Sequence, residues 1–175
     1  MSNTPENGDL KKSKWSARRI AIIAVFVALS AVGAMIKIPS PIGSIGLDSF
    51  PGYFCALAFG FPEGAIVIAI GHILSAAVTG FPLTIPFHIA IAISMAVVAC
   101  IFRLIGKKGT VLAVVIAVIV ASLLNSFGLA LWLLPLGGWG LYLANIVPLL
   151  VASAVNAIIA AIAFFALRNT KLINK

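Results

Sequence analysis

Acidic residues are almost absent from this chain: Asp and Glu together number 4 in 175 residues. Charge of either sign is scarce, at 9% of residues, where a water-soluble domain carries roughly 25%. So few charges cannot solvate the surface of a globule of this size. A soluble enzyme, a DNA-binding module and a disordered chain are therefore excluded. Cysteine is scarce too: Cys55 and Cys100 both sit in apolar runs, and no disulfide framework is implied. Catalytic signatures are missing. There is no His-Glu-x-x-His, no Gly-x-Ser-Gly and no acidic pair, and no Gly-x-x-x-x-Gly-Lys-Ser/Thr loop with which the chain could hydrolyse ATP. Asp48 and Glu63 are the only acids beyond the first sixteen residues. No catalysis, metal or cofactor is expected.

What remains is apolar: 62% of residues are hydrophobic and mean hydropathy is +1.20. Lipid is the solvent for such a chain. Four uncharged windows follow one another: Ile20–Ile36, Ser49–Pro62, Gly64–Phe102 and Gly109–Leu167. A pass needs about 20 residues, so the last two windows must each fold back once. Helix breakers mark where: Thr79-Gly80-Phe81-Pro82 in one, Pro135-Leu136-Gly137-Gly138-Trp139-Gly140 in the other. Gly60-Phe61-Pro62-Glu63-Gly64 separates the short second helix from the third. The spacing predicts an all-α integral membrane protein with six transmembrane helices, near 18–36, 50–60, 63–79, 84–104, 110–134 and 141–168. Open strands are not expected to cross, because unpaired backbone groups are too costly in lipid. The membrane domain spans 17–168, between a flexible cytosolic tail at 1–16 and a short cytosolic tail at 169–175.

Six passes put both termini on one side. With that side cytosolic, Lys37 is the only one of 12 basic residues outside. The net charge of +8 is thereby explained as anchoring at the cytosolic face of a plasma membrane, with no nucleic-acid partner. Depth then places the polar residues. His72, Ser75 and Thr79 share a helix face, His88 begins the fourth helix, and Asn125 and Trp132 lie on the fifth. Tyr142 and Asn145 open the sixth, with Trp139 just before it. Asp48, His72, His88, Asn125, Trp132, Trp139, Tyr142 and Asn145 are expected around one outward-facing pocket, since intramembrane polar groups are costly and tend to mark function. Asn156, about three turns deeper than Asn145, is expected to serve packing. Each residue also has a plainer reading: Asn and His as interhelical bonds, Trp and Tyr as interface belts. The connection from Lys37 to Asp48, stiffened by Pro39 and Pro41, suits a semi-rigid lid; its plainer reading is an ordered connector.

A basic tail, Arg18-Arg19-Ile20-Ala21 running into Ala24-Val25-Phe26-Val27-Ala28, and six short passes resemble an S-component of an energy-coupling factor (ECF) vitamin transporter. The resemblance covers residues 17–168. It implies a substrate-binding subunit that docks through Ala24 and Ala28 on a transmembrane coupling subunit, driven by two cytosolic ATPase subunits. The stretches at 37–52, 71–76 and 80–88 resemble the group assigned to α-ribazole, a cobalamin precursor. That neutral nucleoside suits aromatic surfaces (Trp132, Trp139, Tyr142, His72, His88) beside amides and a carboxylate (Asn125, Asn145, Asp48). Other ligands, such as pantothenate, a thiamin precursor or a corrinoid, are the alternatives within transport. A membrane assembly protein is the alternative outside it. The nickel and cobalt branch requires a Met-His start, and this sequence reads Met1-Ser2-Asn3.

Overall fold

The computed structural model describes residues 15–41 and 43–173; most of the expected N-terminal tail, with Lys11, Lys12 and Lys14, lies outside the described residues, as does Lys175. Six helices follow in order: α1 (Ala17–Gly33), α2 (Phe50–Ala58), α3 (Phe61–Val78), α4 (Ile85–Gly106), α5 (Val111–Leu123) and α6 (Leu134–Leu167). Their starts follow local chemistry. The Ser16 hydroxyl accepts from Arg19 N at 3.3 Å and Thr110 Oγ1 from Ala113 N at 3.3 Å, each satisfying an orphan donor of a first turn. Pro51, Pro62, Pro86 and Pro135 occupy first turns of α2, α3, α4 and α6, where their missing N–H costs nothing.

Among the described residues three segments are long and apolar enough to cross a membrane: Phe61–Val78, Ile85–Gly106 and the continuous stretch Val111–Leu167. In the last, α5 runs into a π turn at Leu124–Gly128 and a 3-10 turn at Leu129–Leu133. The chain then breaks at Gly137 and Gly138, inside the expected fold-back.

α2 is short and enclosed. Pro51 to Leu57 are all buried, as expected of a helix that is apolar all round. Tyr53 packs tilted against Phe102 of α4 with ring centres 4.8 Å apart, and Phe54 stacks on Phe26 of α1 at 5.1 Å. Small residues permit the close approach. A Cβ added at Gly64 of α3 would lie 2.5 Å from Ala56 Cβ, and Gly52 backs directly onto Ile68.

One end of the bundle gathers the basic residues. Arg19 pairs with the buried Glu63 at 2.5 Å, Arg103 donates to Leu57 O, Arg168 donates to Gly109 O at 3.1 Å and Arg18 to Leu172 O at 3.1 Å. Between these contacts the six helices alternate in direction. Their outer faces carry exposed Val97, Ile93, Val111, Leu112, Val115 and Ile119, a surface suited to lipid.

The connection after α1 is more ordered than a loop. β1 (Lys37–Ser40) and β2 (Gly43–Gly46) form an antiparallel hairpin, pairing Lys37 with Gly46 and Ile38 with Ile45. Strands were not expected here. The hairpin shortens α1 by three residues against the predicted end at Ile36, because Met35 and Ile36 turn the chain into β1.

Candidate functional site

A cavity of about 110 Å³ lies where the hairpin's end meets α2, α3, α4, the π and 3-10 turns and α6. Its polar wall begins at Asp48 and Ser49, both buried just ahead of α2. Ser49 Oγ donates to Asp48 Oδ1 at 2.8 Å. What holds this corner is Asn156 of α6. Its Oδ1 accepts from the backbone N–H groups of Ser49 (3.0 Å) and Phe50 (2.8 Å), and its Nδ2 donates to Ala152 O (2.9 Å) and Gly46 O (3.4 Å). The amide therefore caps α2 from another helix, where Ser49's own side chain makes no cap.

Two histidines form the opposite polar wall. His72 Nε2 lies 3.1 Å from His88 Nδ1, His72 Nδ1 lies 4.0 Å from Asp48 Oδ2, and Leu83 N donates to His88 Nε2 at 3.4 Å. Phe81 packs edge-on to His88 at 5.7 Å. The α3–α4 connection that delivers Leu83 is strained, since Phe81 (φ 52°) and Thr84 (φ 68°) are both left-handed without being glycine. Asn125, in the π turn, also lines the cavity. Among the described residues its amide has no hydrogen-bond partner. The Ser153 hydroxyl, buried in the wall, has none either, although Tyr53's hydroxyl lies beside it. Apolar surface comes from Met95, Ile91, Leu129 and Leu149.

Of the residues singled out from sequence, Asp48, His72, His88 and Asn125 meet in this cavity. Trp132, Trp139, Tyr142 and Asn145 do not line it. Trp132 Nε1 donates to Ser94 Oγ at 3.2 Å, and its ring packs edge-on to Phe87. Trp139, 66% exposed, packs against Tyr142, whose hydroxyl donates to Phe127 O at 3.3 Å. Asn145 is fully buried, with Nδ2 donating to Leu141 O in its own helix at 2.8 Å. The reason is a second apolar cluster of Ala130, Leu133 and Tyr142, against which Leu149 packs. Ala130 and Leu133 of that cluster also line the cavity, whose lining on α6 starts at Leu149. Asn156, expected to serve packing below the pocket, instead belongs to its wall.

Sequence reasoning also missed Ser49 and Ser153. The stripe Leu149, Ala152, Ser153 and Asn156 has helical spacing and was the available signal. In the expected lid, Lys37, Pro39 and Pro41 are exposed on the hairpin and none lines the cavity; Ile45 and Gly46, at its base, do. Ala24 and Ala28 lie exposed on α1. Among the described residues no cluster of three or more His, Cys, Asp or Glu could hold a metal ion, and both cysteines are free.

Residues 18–168 match the family model described as ECF transporter, substrate-specific component. A solved structure of the S component of a bacterial ECF transporter superposes with a TM-score of 0.63 at 21% identity, covering 90% of this chain and 98% of that one. No curated protein matches. Members of this family are substrate-binding subunits of membrane transporters and not enzymes. On a match that spans nearly the whole described chain, this protein belongs to the ECF transporter substrate-specific components.

Proposed function

We propose that this chain is the ligand-binding subunit of an ATP-driven ECF importer in the plasma membrane, and that it takes α-ribazole, a cobalamin precursor, in the cavity at Asp48. The observation that carries this reading is the cavity itself: a buried carboxylate, an unpartnered amide at Asn125 and an unpartnered hydroxyl at Ser153 surround apolar surface inside a membrane fold. Ribose hydroxyls suit the polar groups, and a bicyclic base suits Met95, Leu129 and the histidine faces.

In this reading the six helices are six passes, with both termini and the basic end of the bundle cytosolic. α2, with 9 residues, is about 14 Å long, less than half of a hydrocarbon core about 30 Å thick. With its C-terminal end, just ahead of Glu63 in α3, at the cytosolic face, the Asp48 end of α2 lies near the bilayer centre, so α2 spans the membrane only in part. Ligand sites commonly enclose about 300–1,000 Å³, so the present cavity must widen. The hairpin, which meets it only at Ile45 and Gly46, is the lid that lifts. The exposed face of α1 with Ala24 and Ala28 docks a transmembrane coupling subunit, and two cytosolic ATPases drive transport.

Purified protein is tested for thermal stabilisation by a vitamin panel and for co-purifying ligand by mass spectrometry. A ligand at 100 times its dissociation constant adds about 2.7 kcal/mol. Stabilisation by α-ribazole supports the proposal, and stabilisation by another vitamin alone replaces the ligand. No stabilisation by any member of the panel favours an assembly role.

A further inference from the structure

The hydrogen bonds along the histidine wall have a direction that the backbone imposes. An amide N–H can only donate, and that of Leu83 is aimed at His88 Nε2 at 3.4 Å. That nitrogen must accept, so the ring proton of His88 sits on Nδ1. His88 Nδ1 lies 3.1 Å from His72 Nε2. His72 Nε2 therefore accepts in turn, and the His72 proton sits on Nδ1, the atom facing Asp48 Oδ2 at 4.0 Å. A second proton on either ring would set donor against donor, at Leu83 for His88 and at His88 for His72. These contacts are those of the neutral Nδ1–H tautomer in both rings.

Three of the four ring nitrogens are thus hydrogen-bonded within the protein, and the fourth, His72 Nδ1, faces Asp48 Oδ2 at 4.0 Å, beyond hydrogen-bond distance. Asp48 itself is 6% exposed, it takes one hydrogen bond from Ser49 Oγ, and among the described residues no Lys or Arg shares the cavity wall with it. Ser153, 2% exposed, lines the same cavity with its hydroxyl unpartnered. We propose that Asp48 is the specificity-determining acceptor of the cavity, taking a hydroxyl or N–H donor of a neutral or cationic ligand. Ser153 is a second contact, and His72 and His88 are positioning residues that orient the carboxylate. Molecules bearing a carboxylate or phosphate are rejected. This deepens the reading of the cavity as the ligand site and rests on it.

The tautomer chain is tested without ligand. The protein has 2 histidines, so histidine-selective ¹⁵N labelling of protein carrying a histidine-free tag yields two imidazoles. Protons on Nδ1 of both rings are expected; an Nε2 proton on either overturns the chain. Charge selection is tested by titrating wild type and Asp48→Asn with α-ribazole, its 5′-phosphate, thiamin and pantothenate. Asn keeps the shape of the side chain, and unfolding without ligand confirms that the variant folds. Any binder should lose about tenfold or more in affinity in Asp48→Asn. The phosphate should bind wild type at least about tenfold more weakly than the free nucleoside. Unchanged binding in Asp48→Asn, or wild-type binding of pantothenate or the phosphate as tight as the nucleoside, overturns the proposal. Failure of α-ribazole while thiamin binds through Asp48 removes only the proposed ligand. If none of the four compounds binds, the reading of the cavity as the ligand site falls and this proposal with it, whatever the ring tautomers.

Discussion

Three asparagines show how differently one residue type behaves in a low-dielectric interior. Asn125 has no partner within the described protein, Asn145 bonds only its own helix, and Asn156 uses both ends of its amide. Asn125→Leu should therefore weaken ligand affinity about five- to a hundredfold, the equivalent of roughly 1–3 kcal/mol, with unfolding nearly unchanged. Asn156→Leu should cost stability by at least about 2 kcal/mol, because two buried N–H groups at the start of α2 lose their acceptor. Thermal unfolding in detergent reads that loss directly, and ligand affinity should fall with it as Asp48 loses its anchor. Asn145→Leu, whose Oδ1 is already unpartnered, should change stability by less than about 1 kcal/mol and leave binding alone. Sequence gives Asn145 and Asn156 nearly the same helix face, and that much is right by spacing. It cannot show that the cavity's lining on α6 starts at Leu149, which takes in Asn156 and leaves out Asn145.

Helices in this chain are bounded by residues whose chemistry is legible: prolines in first turns, Ser16 and Thr110 as caps, Gly60 at φ 136° ahead of α3. Most ends accordingly fall within a few residues of expectation, but α5 stops eleven residues before the expected 134 and α6 starts seven before the expected 141. The hairpin was not legible, because Pro39 within the run argues against a strand. A two-stranded ribbon has only edges, where proline is tolerated. The π turn holding Asn125 leaves no periodicity signal at all. Packing between α2 and α3 depends on absent side chains. Gly64→Val should destabilise by about 1–3 kcal/mol through overpacking, whereas Gly128→Ala, with open space around it, should be tolerated. On α1, replacing Ala24 and Ala28 together by Leu should leave ligand binding intact and abolish uptake into cells. Loss of binding instead would place this face in the protein's own packing.

Charge distribution orders the molecule from end to end. The hairpin's Lys37 lies far from the cluster of Arg19, Arg103 and Arg168 in the chain's alternating path. In a cysteine-free background, Lys37→Cys should react with an impermeant maleimide on intact cells and Lys108→Cys only after permeabilisation. The reverse pattern would invert the proposed orientation. The burial of α2 bears on how such a chain is made. Nine residues are too few for the insertion machinery to recognise as a membrane segment in their own right. On the proposed six-pass topology α2 enters lipid as a passenger of α1 and α3, with the N–H groups of its first turn unpaired. Their acceptor is Asn156, more than a hundred residues later, so that end of α2 stays unfinished until α6 has been synthesised. Nascent chains truncated before α6 should consequently be substrates for membrane proteases, and full-length chains should become resistant in a single step once α6 clears the ribosome.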